Sequence, residues 1–311
     1  MNFHNKEKSK GFSQLKLFFA LSRTPHGLLD MAAPCFGACL WLGEFPSFYI
    51  IFMGLITVFA GYTAVYALND VVDYKIDKEK IKHMPDNKAP DLDAALITHP
   101  MARGLLSFNQ GLLWAVSWSV IAMLGAYILN PVCTLFFLAG CLLEAVYCLL
   151  LRVSPLRTII NGIVKTLGTI AAVYAVDPNP SLVYVAALFF TLFLWEIGGQ
   201  NIPNDCTDIK EDTRIKAQTV PVRLGIDLAS YTILVTLIGA FFLSLILFSL
   251  SQAEFSFLYY IAVASFSLFL LIIPALKFYK SNNPDHAMLL FNKASNFPAV
   301  LFFLVLFKLI F

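Results

Sequence analysis

Charge is what this sequence of 311 residues has least of. Asp, Glu, Lys and Arg make up 14% of it, against about 25% in an average soluble domain, which argues against an ordinary water-soluble globule. The two signs nearly balance, leaving a formal net charge of +2, too small to indicate a nucleic-acid partner. Sixteen glycines and fifteen prolines without a repeating period exclude collagen-like and low-complexity classes. Six cysteines occur, but Cys35, Cys39, Cys133, Cys141 and Cys148 lie inside apolar stretches with no Cys-x-x-Cys or His-rich spacing. Neither a zinc site nor a disulfide framework follows from them, and they read as small apolar packing residues. The polar start carries Lys6, Lys8, Lys10 and Lys16 but no short apolar stretch ending in a small-residue cleavage site. No removable signal peptide is expected.

Apolar residues are abundant instead: 59% of the chain, with a mean hydropathy of +0.73. They fall in blocks of about twenty, each long enough to cross a hydrocarbon core of roughly 30 Å. Read against their breakers, the blocks predict nine spans near 27–43, 47–69, 109–129, 131–151, 158–176, 181–200, 227–250, 255–276 and 294–310. They lack the alternation of a barrel strand, so the expected fold is all-α, a polytopic nine-helix bundle. One membrane-embedded domain over 1–311 is expected, with two long polar connections at 74–108 and 201–226.

Basic residues set the orientation. Twenty of the 22 lysines and arginines lie before the first span or after the even-numbered spans; Lys165 and Lys308 are the exceptions. By the positive-inside rule the N-terminus is cytoplasmic and the C-terminus outside, and both long connections are cytoplasmic.

Those two connections share a motif. Asn69-Asp70-Val71-Val72-Asp73-Tyr74-Lys75-Ile76-Asp77 and Asn204-Asp205-Cys206-Thr207-Asp208-Ile209-Lys210-Glu211-Asp212 both read Asn-Asp-x-x-Asp-x-x-x-Asp. Spacing of i, i+3 and i+7 places three carboxylates on one helix face. The copies are separated by four spans, which suggests a duplicated four-helix unit. At a helix C-terminus the dipole disfavours each anion by about 0.3–1 kcal/mol, and like charges repel further, so each cluster calls for a cation. Mg²⁺ takes hard oxygen ligands and is commonly held by a few carboxylates together with substrate phosphates. Two facing clusters are therefore expected to hold Mg²⁺ against a diphosphate. The candidate ligands are Asn69, Asp70, Asp73, Asp77, Asp205, Asp208 and Asp212.

Arg103, Arg152, Arg157, Arg214, Lys216 and Arg223 share the cytoplasmic face and are suited to clamp diphosphate oxygens, although the positive-inside rule alone would also place them there. Within the spans, Asp30, Glu144, Lys165 and Glu196 are costly in lipid. They are expected to face the bundle interior, paired with one another or lining a polar cavity.

These residues resemble the UbiA superfamily of intramembrane prenyltransferases. Asn69 to Asp77 is similar to its first Asp-rich motif and Asp208 to Asp212 to its second. The resemblance extends to Arg23 and Pro25, to His99-Pro100-Met101-Ala102-Arg103-Gly104, to Tyr147 with Arg152, and to Thr219, Pro221 and Gly225. His99 stands where the family usually has Arg, and residues 78–97 lengthen the first loop. The resemblance implies Mg²⁺-dependent prenyl transfer in the lipid bilayer, from a prenyl diphosphate to a small-molecule acceptor, often an aromatic quinone precursor. It implies catalytic roles for Asp73, Asp208, Tyr147 and Arg152, with Asn69, Arg103, Arg157, Lys216 and Arg223 on the diphosphate and a Tyr147 ring facing the allylic cation. Relatives that make haem O, ether lipids or cyclised terpenes share the metal motifs. A bacterial inner membrane is the expected location. A cation transporter is the rival class; it predicts ionisable residues and broken helices at the bilayer midplane.

Overall fold

A computed structural model describes residues 14–81 and 96–311. Lys6, Lys8, Lys10 and most of the 78–97 insertion lie outside the described residues. Among the described residues every regular element is a helix, as required where the hydrocarbon core offers no water to the backbone.

A short helix α1 (Gln14–Leu21) leads into α2 (Thr24–Asp30) and α3 (Ala32–Leu42). This pair occupies the expected first span, and Pro34 explains its break. It has no N–H for the Asp30 carbonyl, and its ring crowds that carbonyl. Next, α4 (Phe48–Ile81) runs for 34 residues, far past the expected end at 69. At 1.5 Å per residue it is about 51 Å long, so its last turns project beyond a core of roughly 30 Å. Residues 74–81, expected in a loop, are helical, with Lys78 and Lys80 in the last turn, where cations suit the dipole.

Helices α5 (Phe108–Leu129) and α6 (Pro131–Leu149) follow. The first starts at a capping box of Ser107 and Gln110, the second at an Asn130 cap, each satisfying otherwise orphaned amides. After α7 (Arg157–Val176), α8 (Leu182–Trp195) widens into a π-helical segment, Glu196–Asn201, and continues as α9 (Ile202–Thr207). The expected loop at 201–226 is largely helical: α9, α10 (Ile209–Arg214) and α11 (Val220–Leu224) fill it. The chain closes with α12 (Ile226–Ser249), α13 (Phe257–Ser267), α14 (Ile273–Ser281), α15 (Pro284–Ala294) and α16 (Phe297–Ile310). Pro298 leaves the Ala294 carbonyl without its helical donor. The Trp195 indole takes that role at 2.9 Å.

Eight helical stretches among the described residues are long and apolar enough to cross a membrane; the expected nine differ by the broken α2–α3 segment. A core built around Phe36, Tyr184, Leu188 and Phe248 joins α3, α8 and α12. There the Tyr184 hydroxyl donates to the Gly37 carbonyl at 2.7 Å, an approach that leaves no room for a Cβ at Gly37, where one would sit 2.6 Å from Thr169.

Candidate active site

The first motif lies on one unbroken helix. Asp70, Asp73 and Asp77 of α4 are all buried and line a cavity of about 1000 Å³. The second motif differs from the expected continuous face. Asp208 ends α9 with φ −108 and ψ 12, so Asp205 and Asp212 sit on two short helices joined at Asp208. All three still line the same cavity. Lys80, in the last turn of α4, crosses from the first motif to the second and pairs with Asp212 at 3.1 Å. The two acidic clusters therefore face each other across one space.

Besides Lys80, three cations stand close to the carboxylates. The His99 Nδ1 atom lies 2.9 Å from Asp77 and 3.3 Å from Asp70. Burial works against a charge on His99, but the two carboxylates together outweigh it and raise its pKa to about 9. Arg23 lies 3.7 Å from Asp70. Arg23 and His99 both have positive φ, 43 and 51, a conformation that costs an ordinary L-residue roughly 1–2 kcal/mol. Such strain persists only where the surroundings impose it. For His99 the loop supplies that restraint: Arg103 Nε donates to the Thr98 carbonyl at 2.9 Å, and Met101 is packed so tightly on α5 that a Cβ at Gly111 would lie 2.1 Å from its sulfur.

Arg157 is the third cation, and only 5% exposed. Its guanidinium sits 3.9 Å from the Tyr147 ring centroid and within electrostatic range of Asp205 and Asp73, while its Nε has no hydrogen-bond partner. Tyr147 is fixed in turn by Asn201, which donates to its hydroxyl at 3.2 Å and accepts from Thr158 at 2.7 Å. One face of the Tyr147 ring is thus taken by Arg157, so the ring positions that cation before it can face anything else.

Whether the cavity suits a divalent cation can be judged from its unmet donors. Oδ2 of Asp205 is buried without a hydrogen-bond partner, and buried polar atoms are rarely left so; Oδ1 of Asp70 and of Asp212 meet only the charges of His99 and Lys80. Asp70 and Asp77 each offer a carboxylate oxygen within 4.8 Å of the other and of the His99 ring nitrogen. Hard carboxylate oxygens held in this way fit Mg²⁺.

The expected site residues do not all gather here. Asn69, the six aspartates, Arg103, Tyr147 and Arg157 line the cavity. Arg152, Lys216 and Arg223 do not. Arg152 instead pairs with Glu79 at 2.6 Å on the surface, the two side chains 42% and 49% exposed, because the helical extension to Ile81 brings Glu79 beneath it. Lys80 and His99, which pair with the carboxylates, are not among the expected site residues. Lys80 follows Asp73 and Asp77 at i+7 and i+3, a same-face signal hidden by reading 74–81 as loop.

Deeper in the cavity lies a second polar zone. Lys165 Nζ is 2.6 Å from Asp30 Oδ2 and donates to the Tyr66 hydroxyl at 2.5 Å; Tyr66 donates to Asp30 at 2.5 Å. Asn161 donates to Glu196 at 2.7 Å, and Asn69 to Glu144 at 2.6 Å. The spans' four expected ionisable residues thus face inward, two as an ion pair and two capped by amides. Each Asp or Lys at a helix centre costs roughly 2.5–3.5 kcal/mol on insertion scales, so pairing offsets part of a real penalty.

The UbiA prenyltransferase family model matches residues 31–306. The chain belongs to that family. It is accordingly a prenyltransferase and an integral membrane protein. Digeranylgeranylglyceryl phosphate synthase of Thermococcus sibiricus is 28% identical over 217 residues, covering 70% of this chain and 71% of the relative. The Methanosarcina barkeri protein of the same name is 27% identical over 273 residues, covering 84% and 83%. Among solved structures, a UbiA homologue from Archaeoglobus fulgidus bound to DMAPP and Mg²⁺ shares the fold. Its TM-score is 0.69 at 17% identity, over 93% of this chain and 98% of that one. The two Asp-rich motifs thus lie within a matched UbiA domain.

Proposed function

We propose that this UbiA-family protein catalyses Mg²⁺-dependent transfer of a prenyl group from a prenyl diphosphate to a small acceptor, releasing diphosphate. One observation carries the reading: two buried acidic motifs share one cavity, and at its head a buried Asp205 oxygen and the Arg157 Nε make no hydrogen bond, a cation's and an anion's place side by side. The A. fulgidus homologue, bound to DMAPP and Mg²⁺ in the same fold, supports it. Asn69 and the six aspartates would hold Mg²⁺, which would supply charge neutralisation for the departing diphosphate. Arg157 and Arg103 donate to diphosphate oxygens, an electrostatic stabilisation that is strong in a water-poor site. Tyr147 holds Arg157 in place. The apolar remainder of the cavity, with Leu55, Val58, Phe136, Phe137 and Leu306 on its wall, receives the isoprenoid chain.

For the acceptor, the relatives' names favour the lipid alternative over the aromatic quinone precursor. A digeranylgeranylglyceryl phosphate is made by adding one prenyl group to a glyceryl phosphate that already carries another. The acceptor we favour is the free hydroxyl of such a monoether. The reading includes a single domain over 1–311, a cytoplasmic N-terminus and an outer C-terminus. A bacterial membrane finds no support in relatives that are archaeal. Purified protein incubated with geranylgeranyl diphosphate, Mg²⁺ and either geranylgeranylglyceryl phosphate or 4-hydroxybenzoate tests the reading. Diether formation with the first is expected; no prenylated product from either acceptor would overturn it.

A further inference from the structure

The charged zone below the metal motifs has no part in holding a diphosphate, yet it lines the same cavity. Its depth can be read from three helices. Tyr66 precedes Asp73 by seven residues on α4, Lys165 follows Arg157 by eight on α7, and Glu196 precedes Asp205 by nine on the α8–α9 stretch. At the α-helical rise of 1.5 Å per residue the first two offsets are about 10–12 Å, and the third, partly π-helical, is of similar size. Three elements thus set one polar layer at one depth, inward from the diphosphate end.

Within that layer the charges are not alike. Lys165 and Asp30 neutralise each other, with Tyr66 bonded to both. Among the described residues Glu196 has no cation in contact, although the Lys165 charge and the carboxylates of Asp30 and Glu144 act on it from across the layer. Its carboxylate accepts from the Asn161 amide at 2.7 Å, and it is 3% exposed. It lies on the cavity wall because the backbone there is π-helical. The wider turn brings Glu196, Gln200 and Asn201 together onto that wall, an irregularity found disproportionately at functional sites.

We infer that Glu196, oriented by Asn161, is the proton acceptor for the nucleophilic hydroxyl of the acceptor substrate. The inference rests on the prenyl-transfer reading and adds the acceptor subsite to it. As the C1–O bond breaks, its electron pair leaves with the diphosphate. The acceptor oxygen forms the new bond to C1, and its proton passes to the Glu196 carboxylate, so charge and atoms balance without a further reactant. An attacking oxygen about 3–3.5 Å from C1 and a base about 3 Å from that oxygen put the base roughly 6 Å beyond the allylic carbon. Glu196 lies inward of Asp205 along the α8–α9 stretch and lines the same cavity. The Lys165–Asp30–Tyr66 group beside it keeps this layer polar, so that a hydroxyl can be stripped of water there.

The test compares wild type, Glu196→Gln and Glu196→Asp in detergent, with geranylgeranyl diphosphate and geranylgeranylglyceryl phosphate. Gln preserves volume and should lower kcat for diether formation by about 10²-fold or more, the usual range for a lost general base. KM for the diphosphate, measured by its titration, should stay unchanged. The acid limb of the wild-type pH–kcat profile should vanish in Glu196→Gln and persist in Glu196→Asp, which should also recover part of the rate. Near wild-type kcat in the Gln variant, or an unchanged acid limb, would overturn the inference while leaving prenyl transfer standing. An inactive wild type that still binds geranylgeranyl diphosphate with Mg²⁺ would instead remove the glyceryl phosphate acceptor, and the inference with it.

Discussion

Replacing Arg157 by Lys is the most informative perturbation of the diphosphate end. Arg157 is 5% exposed, lies 3.9 Å from the Tyr147 ring centroid, and has a buried Nε without a hydrogen-bond partner. Lysine keeps the charge but replaces a planar fork by a point donor. The expected loss is one charge-assisted hydrogen bond, about 1.5–3 kcal/mol. At about 1.4 kcal/mol per factor of ten this is roughly a 10- to 150-fold fall in kcat/KM for the prenyl diphosphate. Arg157→Met should fall further, because Asp73 and Asp205 then lose their shared cation. Coupled detection of released diphosphate across a prenyl diphosphate titration gives kcat and KM separately. A Lys variant within threefold of wild type would refute the idea that the unmet Nε awaits a phosphate oxygen.

Other outcomes follow from the same geometry. Asp73→Asn and Asp208→Asn should each reduce Mg²⁺-dependent diphosphate release by about 10²-fold or more, some 2.7 kcal/mol of transition-state stabilisation. Glu79→Gln, which breaks only the exposed pair with Arg152, should leave both rate and stability within the small range of surface ion pairs, about 0–1 kcal/mol. His99 has a folded pKa raised from 6.5 to about 9. The stability it adds to metal-free protein is therefore complete below about pH 6.5 and lost as pH rises through about 9. Melting curves across that window should show the decline in wild type and a flatter profile in His99→Asn. Gly111→Ala forces Met101 aside and should cost about 1–3 kcal/mol by overpacking, read as a lower Tm together with weaker diphosphate binding through the displaced His99 loop.

Much of this site was legible in the sequence because its signal is a repeat. The Asn-Asp-x-x-Asp-x-x-x-Asp pattern recurs 135 residues later, and its chemistry needs no partner to be recognised. The inward placement of Asp30, Glu144, Lys165 and Glu196 was legible for a similar reason: lipid makes any other placement too costly. What could not be read were long-range partners. Lys165 finds Asp30 across 135 residues of sequence, and nothing local specifies that choice. Helix ends were misjudged where composition and conformation part company. The lysines after Asp73 read as loop, yet they sit on a helix that has simply left the membrane. Pro34 and the π-helical turn at Glu196–Asn201 show the converse, apolar sequence whose backbone is broken. A transporter would also put ionisable residues and broken helices near the bilayer midplane; here Lys165 and Glu196 line the same cavity as the two acidic motifs.

The central claim is that both motifs together bind one diphosphate through Mg²⁺. Calorimetric titration of a non-reactive prenyl thiodiphosphate into wild type, Asp73→Asn and Asp208→Asn, each with Mg²⁺ and with EDTA, tests it directly. The account predicts binding at a single site in wild type with Mg²⁺, and a loss of at least tenfold in affinity on removing the metal or either carboxylate. Equal affinity in all three proteins, or binding indifferent to Mg²⁺, would contradict it.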